Sequence, residues 1–147
     1  VPRQPFAVNR RACVAVYLAA LWWGSLTGLG FAVVPLLFRY LPTPAQAGQL
    51  AARLFSAQTA LSLACGLVLL LLAPRSLQLA TARPRDARAW ILAGLLVALL
   101  SEFAVAPRIV ARDQLALWHS VGSALYVLQW LCAGVVLWRS VKPRNRS

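Results

Sequence analysis

Acidic side chains are nearly missing from this sequence: Asp and Glu together number three in 147 residues, against fifteen Lys and Arg. Methionine is absent and histidine occurs once, as His119. The three cysteines, Cys13, Cys65 and Cys132, stand alone without C-x-x-C spacing. Each shortage removes a class of chemistry. No paired carboxylates are available for acid–base work. One imidazole without a thioether is poor equipment for copper or haem, so neither a metal nor a cofactor is expected. Isolated cysteines read as small packing residues, and their spacing gives no argument for a disulfide. No phosphate loop, nucleophile elbow or zinc motif occurs. The sequence therefore reads as that of a non-enzyme.

What it does have is apolar length. The chain is 61% hydrophobic and 12% charged, with a mean hydropathy of +0.69. Soluble domains carry about twice that share of charge. The net charge of +12 does not indicate a nucleic-acid partner, because the basic residues lie between apolar runs and not on one solvated face. Four such runs, about 12–38, 54–73, 89–106 and 115–138, approach or exceed the ~18–20 residues that a helix needs to cross the hydrocarbon layer. Period-2 alternation is absent, which argues against a β-barrel. The expected fold is all-α: an integral membrane four-helix bundle forming one domain over 1–147, with short loops and no internal repeat strong enough to indicate duplication. The first run resembles a signal peptide at its start, with Arg10 and Arg11 ahead of it. It continues past twenty residues without a break, so a retained helix is expected.

Arginine placement sets the expected orientation. The N-terminal segment, the loop after the second run and the C-terminal segment together carry eleven basic residues. The other side holds four: Arg39, Arg53, Arg108 and Arg112. The positive-inside rule then places both termini in the cytoplasm. Abundant Ala, Leu and Arg with almost no Lys points to a high-GC bacterium, hence an inner membrane. The basic tail KPRNRS reads as a topology signal near anionic lipid. The expected partners are the lipid bilayer and a second copy or another membrane protein.

Along the first run, Ala20, Gly24, Gly28 and Ala32 recur every four residues and form a smooth face, expected to seat a neighbouring helix of the same chain. Trp22 and Trp23 read as packing or lipid contacts. Pro35 should kink the far end. The second helix has a legible start: Thr43 as N-cap, Pro44 at the first position and Gln46 at the third. From there to Ala73 it is longer than the hydrocarbon layer, so its first turns should project beyond it. Gln58, Ser62 and Cys65 make a mild polar stripe turned inward.

Pro107 should end or bend the third helix. Glu102, one turn earlier, needs a partner at bilayer depth; Arg39 or Arg53 is the better geometric choice than Arg108. Asp113 is the expected N-cap of the fourth helix. His119, Ser123, Tyr126 and Gln129, with Ala133 continuing, share one face that should point inward. Glu102 and His119 lie on consecutive antiparallel helices near one surface, so they can meet. A polar cluster of Glu102, His119, Arg39 or Arg53, Gln58, Ser123, Tyr126 and Gln129 is expected there, either fastening helices or binding an ion or small ligand.

These stretches resemble a known family. Trp22, Gly24, Pro35, Phe38, Arg39, Leu41, Pro42, Ala47, Gly48, Arg53, Leu54 and Phe55 are similar to the opening block of the DUF4149 membrane family, whose eukaryotic relatives are transmembrane-protein-205-like. Pro107, Ile109, His119 and Ser123, with Gln129 following, resemble its second block, with Trp118 where a Leu is usual and Tyr126 where Asn is expected. The resemblance covers nearly the whole chain and implies four transmembrane helices. Its eukaryotic members are associated with tolerance to platinum drugs, but their sulfur-ligand pattern has no match here. A looser similarity extends to copper-resistance-D-like membrane proteins. The leading expectation is a non-enzymatic accessory or scaffold protein. The alternative is a small-solute, metal-ion or drug-tolerance protein using the polar cluster.

Overall fold

A computed structural model describes residues 10–73, 87–111 and 114–141. Four helices are long and apolar enough to cross a membrane: α1 (Arg10–Tyr40), α2 (Pro44–Leu72), α3 (Ala87–Val110) and α4 (Leu115–Val141). They lie packed together as an all-helical four-helix membrane bundle. In a bilayer each backbone amide must be satisfied within its own segment, which is why such apolar runs become helices. α1 packs against α2 and α4, and α3 packs against the same two. Hence α1 faces α3, and α2 faces α4, across diagonals. One end of the bundle carries the short turn 41–43, the end of α3 and the start of α4; the other carries the start of α1 and the end of α4.

Local signals fix the element ends. Thr43 is extended (φ −134°, ψ 143°), and its hydroxyl accepts the Gln46 amide at 3.3 Å with Pro44 in the first turn. At the other end of α2, the Ala73 carbonyl accepts Arg88 Nη2 at 2.8 Å, a cation on a helix C-terminus. Gln114 opens α4: its carbonyl accepts the amides of Leu117 and Trp118 at 2.9 and 3.2 Å. The N-cap position expected at Asp113 lies outside the described residues.

The prolines inside α1 and α3 do not end the helix. A π-helical turn, Leu29–Val33, precedes Pro35, and another, Ser101–Val105, precedes Pro107. The wider turn takes the carbonyl that would meet the proline ring out of the i→i−4 ladder. Beyond it the helices continue as Val34–Tyr40 and Ala106–Val110.

The core is built around Trp22 and Leu26, both fully buried, with Ala19, Cys65, Leu69, Ile91, Leu95, Ala133 and Val136. Trp22 reaches across the diagonal to α3, where a Cβ on Gly94 would lie 2.8 Å from Cη2 of its ring. Trp23 sits over Gly134 of α4, and Leu95 over Gly66 of α2. The smooth face of α1 is a correction to the sequence reading. Ala20, Gly24, Gly28 and Ala32 are exposed, and a Cβ on Gly24 or Gly28 would meet nothing within 4 Å. The inward side of α1 is the larger one, Ala19, Trp22, Leu26 and Leu29. Close approach is supplied by glycines on the receiving helices.

Short stretches correspond between the two halves of the chain, although no repeat long enough to indicate duplication is seen. α1 carries F-A-V-V-P at residues 31–35 and α3 carries F-A-V-A-P at residues 103–107, each ending at the proline that follows a π-turn. α2 carries L-F-S-A-Q at residues 54–58 and α4 carries L-Y-V-L-Q at residues 125–129. The matches are short, and the π-turns give them their meaning.

Candidate functional site

The polar side chains expected to form one cluster occupy two separate levels. At the centre, Gln58 (α2) and Gln129 (α4) are both buried and meet at Ser62. Gln129 Nε2 donates to Ser62 Oγ at 3.0 Å and Gln58 Nε2 donates to the same oxygen at 3.4 Å. The Ser62 hydroxyl donates to the Gln58 carbonyl at 2.8 Å. Gln58 Nε2 also donates to Ser25 Oγ of α1 at 2.9 Å, and Ser25 in turn donates to the Trp22 carbonyl at 3.0 Å. One hydroxyl thus uses its proton and both lone pairs, and one amide nitrogen uses both protons. This network joins three helices.

One turn toward the short-loop end, the Tyr126 hydroxyl donates to the Leu26 carbonyl at 2.6 Å. The hydroxyl stands inside the backbone ladder of α1 where the π-turn begins, a recognised cause of helix bending. A Cβ on Gly30 would overlap the Tyr126 ring. Phe55 meets the same ring edge-on at 5.3 Å between centroids. α1 and α4 are also tied by Trp130 Nε1, which donates to Thr27 Oγ1 at 2.9 Å, while its ring lies 5.6 Å from those of Trp23 and Phe31.

The second level holds Glu102, in the π-turn of α3. Its carboxylate accepts the Ser56 hydroxyl of α2 at 2.7 Å. Among the described residues Glu102 makes no ion pair with Arg39, Arg53 or Arg108 and no hydrogen bond to His119. Arg39 lies over the Tyr40 ring at 5.7 Å, and Arg53 borders a surface recess with Leu41, Gln46, Gln49 and Leu50. Arg108 stacks on Trp118 at 4.3 Å, clamping the turn between α3 and α4. His119 and Ser123 are exposed, Tyr126 is half-buried and Gln129 is buried. The expected inward stripe of α4 therefore splits. Gly122 is the residue that faces α3 there, 3.4 Å from Val105 and Ile109 as measured from a built Cβ, and it turns the 119/123 side away.

Sequence reasoning missed Ser25, Ser56, Thr27 and the Arg108–Trp118 stack. A serine mid-helix is a weak signal, since it so often bonds its own backbone. The stack could have been found, because Arg108 and Trp118 flank one short turn. Cys65 and Cys132 are buried and free, Cys13 is exposed and free, and no group of three metal-ligating side chains forms among the described residues.

Neither a comparison with curated proteins nor one with solved structures returns a match. Residues 17–117 match the family described as "Domain of unknown function (DUF4149)". The matched stretch contains the α1 and α3 π-turns, Gln58, Ser62 and Glu102, and stops before His119, Ser123, Tyr126 and Gln129. With more than half of its length covered by that match, this four-helix membrane protein belongs to the DUF4149 family.

Proposed function

We propose that the protein is a non-catalytic accessory or scaffold element of the bacterial inner membrane, with both termini in the cytoplasm. The observation that carries this reading is the inter-helix polar network at the centre. Ser25, Gln58, Ser62 and Gln129 bind one another across three helices, which stiffens the bundle. Two shallow recesses lie on the outside, one apolar between α1 and α4, one around Arg53. The smooth exposed side of α1 supports a role in packing against another protein, since membrane helices associate through small residues. A photo-crosslinking residue placed at Gly28 of the full chain in native membranes tests this. Adducts with a discrete protein are expected; adducts with lipid alone would sink the reading.

A second reading, a small-solute, metal-ion or drug-tolerance protein, is favoured by one observation: Glu102 is a half-exposed carboxylate at membrane depth with the Ser56 hydroxyl as its hydrogen-bond partner. Ionisable groups at that depth mark functional sites by default. Growth of a deletion strain across metal, drug and pH stresses separates the two. A defect rescued by the wild type but not by Glu102→Gln would move the balance to this reading.

A further inference from the structure

The two halves of the chain share more than short motifs. The π-turn of α3 begins 72 positions after that of α1, and Trp23 and Leu95, which cap glycines on α4 and α2, are separated by the same interval. Phe55 and Tyr126 touch across the α2–α4 diagonal, and three positions further each helix offers a buried glutamine to Ser62. The ties are also exchanged between halves. α4 pins the α1 π-turn through Tyr126, and α2 pins the α3 π-turn through Ser56 and Glu102. Beyond each π-turn, Val34–Tyr40 and Ala106–Val110 contain no buried residue.

We infer that the bundle is a two-helix unit repeated about an axis running along the helices between Gln58 and Gln129, and that its two π-turn/proline joints are matched hinges. The segments beyond them swing as a pair against the fixed glutamine waist, and the Tyr126–Leu26 and Ser56–Glu102 hydrogen bonds are the latches. The physical grounds are additive. A π-turn widens the backbone ladder, a proline two residues later removes a further donor, and each segment beyond rests one-sidedly on a neighbouring helix with no buried side chain to anchor it. Hinges of a few residues next to a rigid base are how packed helices change shape. Parallel repeats about an axis along the membrane normal recur in proteins that move this way.

The test is a pair of spin-label distances in the full chain in lipid nanodiscs, with the three cysteines replaced by alanine. Labels at Tyr40 and Val110, exposed by 73% and 70%, report the two swinging segments. Labels at Leu67 and Leu96, also exposed, report the base. The 40–110 distribution is expected to be about twofold wider than the 67–96 one. It should widen further in Tyr126→Phe and in Ser56→Ala, each made alone, and narrow in the double variant Pro35→Ala/Pro107→Ala, while the 67–96 distance holds. A 40–110 distribution as narrow as the base pair, or one indifferent to the latch substitutions, overturns the hinges. A response to one latch but not the other overturns the pairing. Should the cysteine-free chain not fold, nitroxide amino acids introduced by codon suppression at the same four positions give the same readout.

Discussion

At the scale of single residues, glycine sorts into two kinds. At Gly94 a methyl group would meet the fully buried Trp22 ring at 2.8 Å and the Cys132 Cβ at 3.3 Å. A filled core relieves such overlap only by moving side chains off their rotamers, at a cost of about 1–3 kcal/mol. At Gly24 the same methyl meets nothing within 4 Å, and alanine is the better helix former by up to about 1 kcal/mol. Gly94→Ala is therefore expected to lower resistance to unfolding in mixed detergent micelles, followed by circular dichroism. Gly24→Ala is expected to leave it unchanged or raise it. The reverse order would show that Trp22 does not lie where the structure has it. Both glycines look alike in the sequence, because nothing local tells which one a distant tryptophan will reach.

Between helices, the hydrogen bonds at Ser62 act as a unit. Removing its hydroxyl leaves the amides of Gln58 and Gln129 without a shared acceptor in a dry interior, a loss of about 1–3 kcal/mol. Ser62→Ala should accordingly destabilise the bundle. Gln129→Leu should then cost less in the Ser62→Ala background than in the wild type, since groups in one network are not additive. Full additivity in unfolding experiments would refute the network. The inward positions of Gln58 and Ser62 on α2 were legible from their spacing, because lipid offers polar side chains nothing. On α4 the same logic assigned an inward face to His119 and Ser123, which are exposed. A stripe at i, i+4, i+7 and i+10 drifts around the helix, and tertiary contacts decide which part is covered. The Glu102 partner was misjudged for a related reason. Charge pairing is the first guess for an acid at bilayer depth, yet a short hydroxyl on the adjacent helix needs far less room than an arginine.

On the scale of the whole molecule, four spans followed from apolar length alone, because bilayer thickness is an external ruler that needs no knowledge of packing. The order of neighbours around the bundle and the correspondence of its halves required coordinates, since the shared motifs are five residues long and differ in register by one position between the helix pairs. Orientation is testable directly. Single cysteines at Thr43 and Gln114, in a cysteine-free chain, are expected to react with an impermeant maleimide from the periplasmic side of intact cells, and a cysteine at Val141 only after lysis. The opposite pattern would invert the topology argued from arginine placement. The length of α2 has one more consequence. Its 29 residues extend about 43 Å, and fitting them inside the hydrocarbon would demand a tilt of about 45°, beyond what spanning helices show. The stretch from Arg53 to Leu72 alone measures about 30 Å. Arg53 thus works as a waterline: a thinner or thicker host membrane has to deform around that guanidinium before it can wet or drown the residues on either side.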